Sequence, residues 1–219
     1  MRRRRILLGV GPEMSPISYL VVTLAAYLLG SIPTGYLVAR SRRNVDILQA
    51  GSGRTGAANV LRTLGWKAAL VVFLGDFAKG MAAVAVARVL TSGDPVADVV
   101  AALMAVTGHT FSIYLGFKGG RGVATGLGAL VIVTPIAALA CAIVAFSTMG
   151  ISRYVSLGSI LGACSVPFAI LALVLLGIEP PAHLILGVLG SVFIVLNHKD
   201  NISRLLKGTE RKLGRKAQT

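Results

Sequence analysis

Acidic residues are scarce: eight Asp and Glu stand against 22 Lys and Arg in a chain of 219 residues. Most of the eight lie in loops or near the termini, so a nucleophile with a base and an orienting acid is hard to assemble. The sequence also lacks GxSxG, CxxC, HExxH and any Asp-rich diphosphate motif. No His is followed five residues later by Asp, which removes the HxxxxD box of one common acyltransferase class. The nucleotide-hydrolase pattern GxxxxGK[ST] does not occur. Cys141 and Cys164 sit in apolar runs without ligand spacing, so neither a disulfide nor a metal is implied. No long internal repeat is evident. A cleavable signal peptide is not indicated either, because the run 6-ILLGV-10 after Arg2–Arg5 is short and is interrupted by Pro12 and Glu13. Catalysis by such a chain would rest on a reactive substrate, positioning and charge stabilisation.

What is present is apolar surface. Hydrophobic residues make up 55% of the chain even with 26 glycines left out, and the mean hydropathy is +0.79. Soluble domains average about 45–50% apolar with glycine counted, so this composition indicates an integral membrane protein with room for one domain. The net charge of +14 is carried in blocks: Arg2–Arg5, Arg40–Lys67, Lys118–Arg121, Arg153 and Lys199–Lys216. Such blocks mark the cytoplasmic side and attract anionic lipid, and nucleic-acid binding does not fit so apolar a chain.

Spans of about 20 apolar residues are expected at Ile17–Ala39, Ala68–Leu90, Val96–Leu115, Val155–Gly177 and Ala182–Leu196. The region Val123–Gly150 reads either as one long span or as two short helices turning near Thr134–Pro135. Placing all basic blocks from Arg40 onward on one side requires two crossings between Arg121 and Arg153, which favours the pair. The expected fold is therefore an all-α polytopic membrane protein. It has about seven transmembrane helices, some short, glycine-rich cytoplasmic loops, the N-terminus outside and the C-terminus inside. Residues 1–16 read as a disordered basic leader, 17–210 as one transmembrane domain, and 211–219 as a basic cytoplasmic tail. Arg2–Arg5 then falls on the wrong side, which makes Met14 a candidate start.

Four polar, glycine-rich segments share the expected cytoplasmic side: 51-GSGRTGAAN-59, 116-GFKGGRGVAT-125, 152-SRYVSLGS-159 and 197-NHKDNISRLLKGTE-210. Glycines let backbone N–H groups approach an anion, and a following helix adds its positive end. Lys118, Gly119, Gly120, Arg121, Gly122 and Thr125 thus form a candidate phosphate cradle. In the other long loop, Gly51, Gly53 and Gly56 supply backbone, Ser52 a hydroxyl, Asn59 an amide, and Arg54 and Arg62 charge. Tight helix packing is the alternative for these glycines, since small residues also line membrane helix interfaces. Asp76 and Lys79, at i and i+3 within a span, can pair. His109 reads as a structural hydrogen-bonder and His183 as chemically idle, whereas His198 shares a polar stretch with Asn197, Asn201 and Arg204.

Taken together, 51-GSGRTGAANVLRTLG-65, 76-DFAKG-80, 108-GHTFSIYLGFKGGRGVAT-125, 156-SLGS-159 and 198-HKDNISRLLKGTE-210 resemble, in order, the motifs of a known family. It is the bacterial acyl-phosphate-dependent glycerol-3-phosphate acyltransferases, the small polytopic PlsY family, and the likeness runs from Leu29 to Glu210. Arg54, Ala58 and Arg121 stand where that family usually has Asn, Thr and Lys. The resemblance implies transfer of a fatty acyl group from acyl phosphate to glycerol 3-phosphate, giving lysophosphatidic acid and inorganic phosphate. It requires neither coenzyme A nor a metal. It assigns Ser52, Arg62, His198 and Asn201 to catalysis, the Lys118–Thr125 loop to substrate phosphate, and Ser156 and Ser159 to the site wall. Glu210 would order its loop, with Asp76, Lys79 and His109 as support. His198 would position substrate while a substrate phosphate takes the proton. The bacterial plasma membrane is the expected location, with the site facing the cytoplasm, and the enzyme that makes acyl phosphate is an expected partner. A small transporter for an anionic phosphorylated solute is the rival reading.

Overall fold

The computed structural model describes residues 15–213, whose regular elements are all helices, with no strand among the described residues. Residues 1–14 of the expected leader, with Met14, and the end of the basic tail lie outside the described residues; Ser15 and Pro16, expected in that disordered leader, instead begin a helix. Helix α1 (Pro16–Ser31) is capped by the Ser15 hydroxyl and has Pro16 at its first position, where the missing N–H costs nothing. Ile32 is extended because Pro33 follows it, and the chain resumes as α2 (Thr34–Arg43). The expected span Ile17–Ala39 is therefore broken in its middle. A loop leads to α3 (Ala57–Leu64), an eight-residue amphipathic helix whose Val60 packs under Ala68 and Val72.

Helix α4 (Trp66–Thr91) is the longest, and α5 (Pro95–Thr110) begins at an Asp94 cap followed by Pro95. It stops five residues short of the expected Leu115, giving way to a single 3-10 turn at Ile113–Leu115. Next come α6 (Val123–Val133) and α7 (Pro135–Ser152), α8 (Val155–Leu175), α9 (Ala182–Asn197) and α10 (Lys199–Leu206). Four segments are long and apolar enough to cross a membrane: α1 with α2, α4, α7 and α8. The pair α9 and α10, bent by 62°, makes a fifth, and α5 and α6 are shorter apolar helices.

Pro135 breaks the chain into two antiparallel helices, not one kinked span. The Val133 carbonyl accepts from Arg88, which also pairs with Asp98 at 2.7 Å, so α6 ends beside the α4–α5 turn. At its other end Gly122 lies near Ile194, and α7 returns until Arg153 bonds Leu213 and Ser156 reaches Glu210. Where α4 crosses α6, Gly80 meets the Thr125 carbonyl and Gly128 meets that of Phe77; where α1 crosses α5, Gly30 and Gly108 do the same. A methyl group at any of these four would strike backbone, so the helices approach closely because the residues are small.

Candidate active site

At the end where α3, the α5–α6 loop and the α9–α10 bend converge lies a cavity of about 250 Å³. Its mouth is cationic. Arg54, Arg62 and Arg121 all line it, from two loops and one short helix. Burial, opposed in part by Glu210, lowers the basicity of Arg62. Burial and the neighbouring charge of Arg54 and Arg204 bring Arg121 down to about 10, still protonated at neutral pH. The mouth thus gathers guanidiniums that repel one another, a charge that suits a phosphate dianion. Arg121 is held by its Nε donating to the Asn197 carbonyl at 3.2 Å.

The 44–56 loop is tied by Asn59. Its Nδ2 donates to the carbonyls of Ala50 and Arg54, each at 2.9 Å, and its Oδ1 accepts from the Ser52 N–H at 2.9 Å. Gly51 (φ +62°) lies so close to that amide that a side chain could not fit. Asn59 is therefore spent on its own loop, although it borders the cavity. The Ser52 hydroxyl lies on the wall, buried and without a partner among the described residues. A hydroxyl with no base beside it is a free donor, not an activated nucleophile.

Across the mouth, Glu210 gathers three donors. Ser156 Oγ (2.9 Å) and Asn201 Nδ2 (2.8 Å) donate to its Oε1, and Arg204 Nε (2.7 Å) donates to its Oε2. Burial alone would raise its pKa, but these bonds and the Arg204 charge hold it below the ordinary value of 4.5. A carboxylate so engaged is a poor base. Asn201 is left with an unpartnered buried Oδ1. Ser159, also on the wall, donates to its own helix at Val155. His198 Nδ1 donates to the Ile194 carbonyl at 2.8 Å, which fixes the ring and leaves Nε2 as its acceptor. Burial, with help from Arg121 and Arg54, lowers its pKa to about 4, so the imidazole is neutral at pH 7.

Not every expected residue reaches the wall. Gly56, Arg121 and Gly122 do; Gly51, Gly53 and Lys118 do not, and Lys118 is exposed. Gly119 and Gly120 pack on His109, the first against its carbonyl and the second against its ring, and the Gly120 N–H donates to that carbonyl at 3.1 Å. Their smallness seats the loop on α5. Thr125 is fully buried against Gly80, off the cavity. Asp76 and His109 border the cavity from below, Asp76 Oδ1 lying 2.9 Å from Lys79 Nζ and 3.4 Å from His109 Nδ1. Lys79 also donates to the Ile32 carbonyl at 2.8 Å, which the Pro33 break had freed.

Two pairings are not legible in the sequence. Arg204, in the sequence only a neighbour of His198, holds Glu210. At the opposite end of the bundle, Arg88 pairs with Asp98, and His183 bonds Glu179 at 2.7 Å; charges within apolar runs were the available clue.

Below its mouth the cavity is walled by apolar residues of α5 to α9. An amphiphile with an anionic head suits this shape. The sequence model for the glycerol-3-phosphate acyltransferase family matches residues 20–208. A Clostridioides difficile protein named glycerol-3-phosphate acyltransferase is 42% identical over 210 residues, covering 94% of this chain and 100% of its own. A Synechococcus relative of the same name is 47% identical over 200 residues, covering 91% and 96%. The crystal structure of PlsY, an integral membrane glycerol 3-phosphate acyltransferase, matches in its glycerol 3-phosphate form with a TM-score of 0.82 at 38% identity. That match covers 90% of this chain and 96% of the other, and the lysophosphatidic acid form scores 0.80.

Proposed function

Because the chain belongs to the glycerol-3-phosphate acyltransferase family and is an integral membrane acyltransferase of phospholipid synthesis, we propose that its acyl donor is a fatty acyl phosphate and its acceptor the sn-1 hydroxyl of glycerol 3-phosphate. The observation that carries the choice of donor is the mouth itself: three guanidiniums and a free Ser52 hydroxyl, with no base hydrogen-bonded to that hydroxyl. Such a site cannot make an acyl-enzyme easily. An acyl phosphate, a mixed anhydride, brings its own activation and its own anion. One relative, PlsY, solved in glycerol 3-phosphate and lysophosphatidic acid forms, supports the same acceptor and product here.

The glycerol hydroxyl adds to the acyl carbonyl carbon, forming the ester C–O bond. The tetrahedral oxyanion collapses by breaking the bond to phosphate, which leaves as inorganic phosphate carrying the hydroxyl proton. Ser52, Arg62 and Arg121 stabilise the developing charge. Arg54 adds a further cation for the second phosphate. Neutral His198 and the free Asn201 Oδ1 orient the glycerol hydroxyls as acceptors, a positioning role that suits an imidazole of such low basicity. Glu210 fixes Asn201 and Ser156, Asn59 fixes Ser52, and Asp76, Lys79 and His109 carry the loop that presents Arg121. Lys118, exposed beside the mouth, attracts the anions without gripping them.

The domain spans residues 17–210 and crosses the plasma membrane seven times, N-terminus out, with the cationic mouth on the cytoplasmic side. Arg40, Arg42, Lys67 and Lys118, all exposed, support that orientation. Acyl phosphate then reaches the mouth from the inner leaflet, supplied by the enzyme that makes it. Purified protein given glycerol 3-phosphate should release lysophosphatidate and phosphate in equal amounts from acyl phosphate, and nothing from acyl-CoA. Turnover with acyl-CoA, or none with acyl phosphate, would overturn the assignment.

A further inference from the structure

On each of the five helices α5 to α9 the apolar wall of the cavity ends partway along the helix. On α5 the last wall residue is Ala102, on α6 Leu130, on α7 Cys141, on α8 Val166 and on α9 Leu186. Behind this ring the core is filled by Val133, Ala137 and Ile170, all fully buried. The ring is also braced. A methyl group on Gly187 would come within 3.1 Å of Pro167 Cα and 3.2 Å of Ile170 Cδ1, so α8 and α9 are in close contact there, with no free space between them. From the mouth, the wall runs from Ser156 to Val166 along α8, about 15 Å at roughly 1.5 Å per residue. Along α6, from Gly122 to Leu130, it runs about 12 Å. One leaflet of bilayer hydrocarbon is about 15 Å thick. The lobe is therefore no deeper than one leaflet of hydrocarbon, and packed core lies behind it.

We propose that this five-residue floor sets an upper limit on the acyl chain that the enzyme transfers. The proposal rests on the acyltransferase reading above and deepens it. The limit is a ceiling, not an optimum, for a physical reason. The chain comes from bilayer hydrocarbon, so burying one more methylene in the lobe gains little. A chain that overfills a braced, close-packed lobe must buckle or push helices apart, at about ten- to a hundredfold in turnover. Ala163, on the wall of α8 between Ser159 and Val166, marks a position partway down.

The test uses the full-length protein in detergent, glycerol 3-phosphate and a series of saturated acyl phosphates, with lysophosphatidate quantified by mass spectrometry. Turnover should be nearly flat with length and then fall at least about tenfold. Ala163→Leu should move that fall to shorter chains. Independently, Cys141 lies in the floor, whereas Cys164 does not line the cavity. In a Cys164→Ser background, non-hydrolysable acyl phosphonates long enough to reach the floor should protect Cys141 from a membrane-permeant maleimide, and short ones should not. Identical length profiles for both proteins, or Cys141 labelling indifferent to length, would overturn the floor. Failure of turnover at every length would sink the acyl-phosphate reading instead, and the labelling series would then judge the floor by itself.

Discussion

Replacing Glu210 by glutamine removes a charge and almost no volume, and the structure gives the cost. The carboxylate is 2% exposed and accepts from Ser156, Asn201 and Arg204 at 2.7–2.9 Å. An amide can accept at only one of its two ends. Keeping Ser156 and Asn201 on the amide oxygen turns its NH2 toward the Arg204 Nε donor, so the charge-assisted bond is lost. That bond is worth about 1.5–3 kcal/mol. Arg204 is 38% exposed and can turn to water, which softens the loss. The two surviving bonds weaken, since their acceptor is no longer charged. The total comes to about 2 kcal/mol.

Asn201 and Ser156 then sit less firmly, and a misplacement of about 1 Å at a reacting centre can cost about a hundredfold in rate. Phosphate release should show kcat falling about ten- to a hundredfold in Glu210→Gln, with a smaller change in the KM for glycerol 3-phosphate. The acid limb supplies a second readout. Glu210 titrates below 4.5 in the folded protein, so its contribution is fully present above pH 4.5 and is lost as pH falls through the depressed folded value. The variant's stability should be flatter there. His198, neutral in the fold down to about 4 instead of 6.5, adds a decline between those values that both proteins share. A variant with unchanged kcat and an unchanged acid limb would refute the hub role of Glu210.

Ser52→Ala should separate function from folding. The hydroxyl has no partner to lose, so thermal unfolding should move by less than about 1 kcal/mol, while turnover falls about 10²–10³-fold; loss of both together would contradict the free-donor role. Gly120→Ala places a methyl group in the His109 ring, an overpacking of about 1–3 kcal/mol. It should raise the KM for glycerol 3-phosphate by displacing Arg121, and His109→Ala added to it should recover part of that affinity; a normal KM in the single variant would contradict the seating of this loop.

Much of this protein is written locally. Apolar runs gave the spans, and the proline after Thr134 with the spacing of basic blocks foretold the antiparallel pair α6–α7. The missing carboxylates and motifs argued against covalent machinery, and the basic glycine-rich loops pointed to the end where the cavity's arginines lie. These features depend on each residue's own transfer energy or backbone freedom, and a linear sequence carries both. Which glycines border the cavity and which pack on α5, as Gly119 and Gly120 do on His109, emerges only in the folded chain. Whether Asn59 faces a ligand or its own loop, and which residue Glu210 holds 54 positions away in Ser156, likewise depends on partners brought together by folding. The break at Pro33 and its repair by buried Lys79, and the meeting of five helices around the apolar lobe, have the same origin. Close approach and hydrogen-bond satisfaction are properties of pairs, so they exist only once the tertiary structure has chosen the pairs.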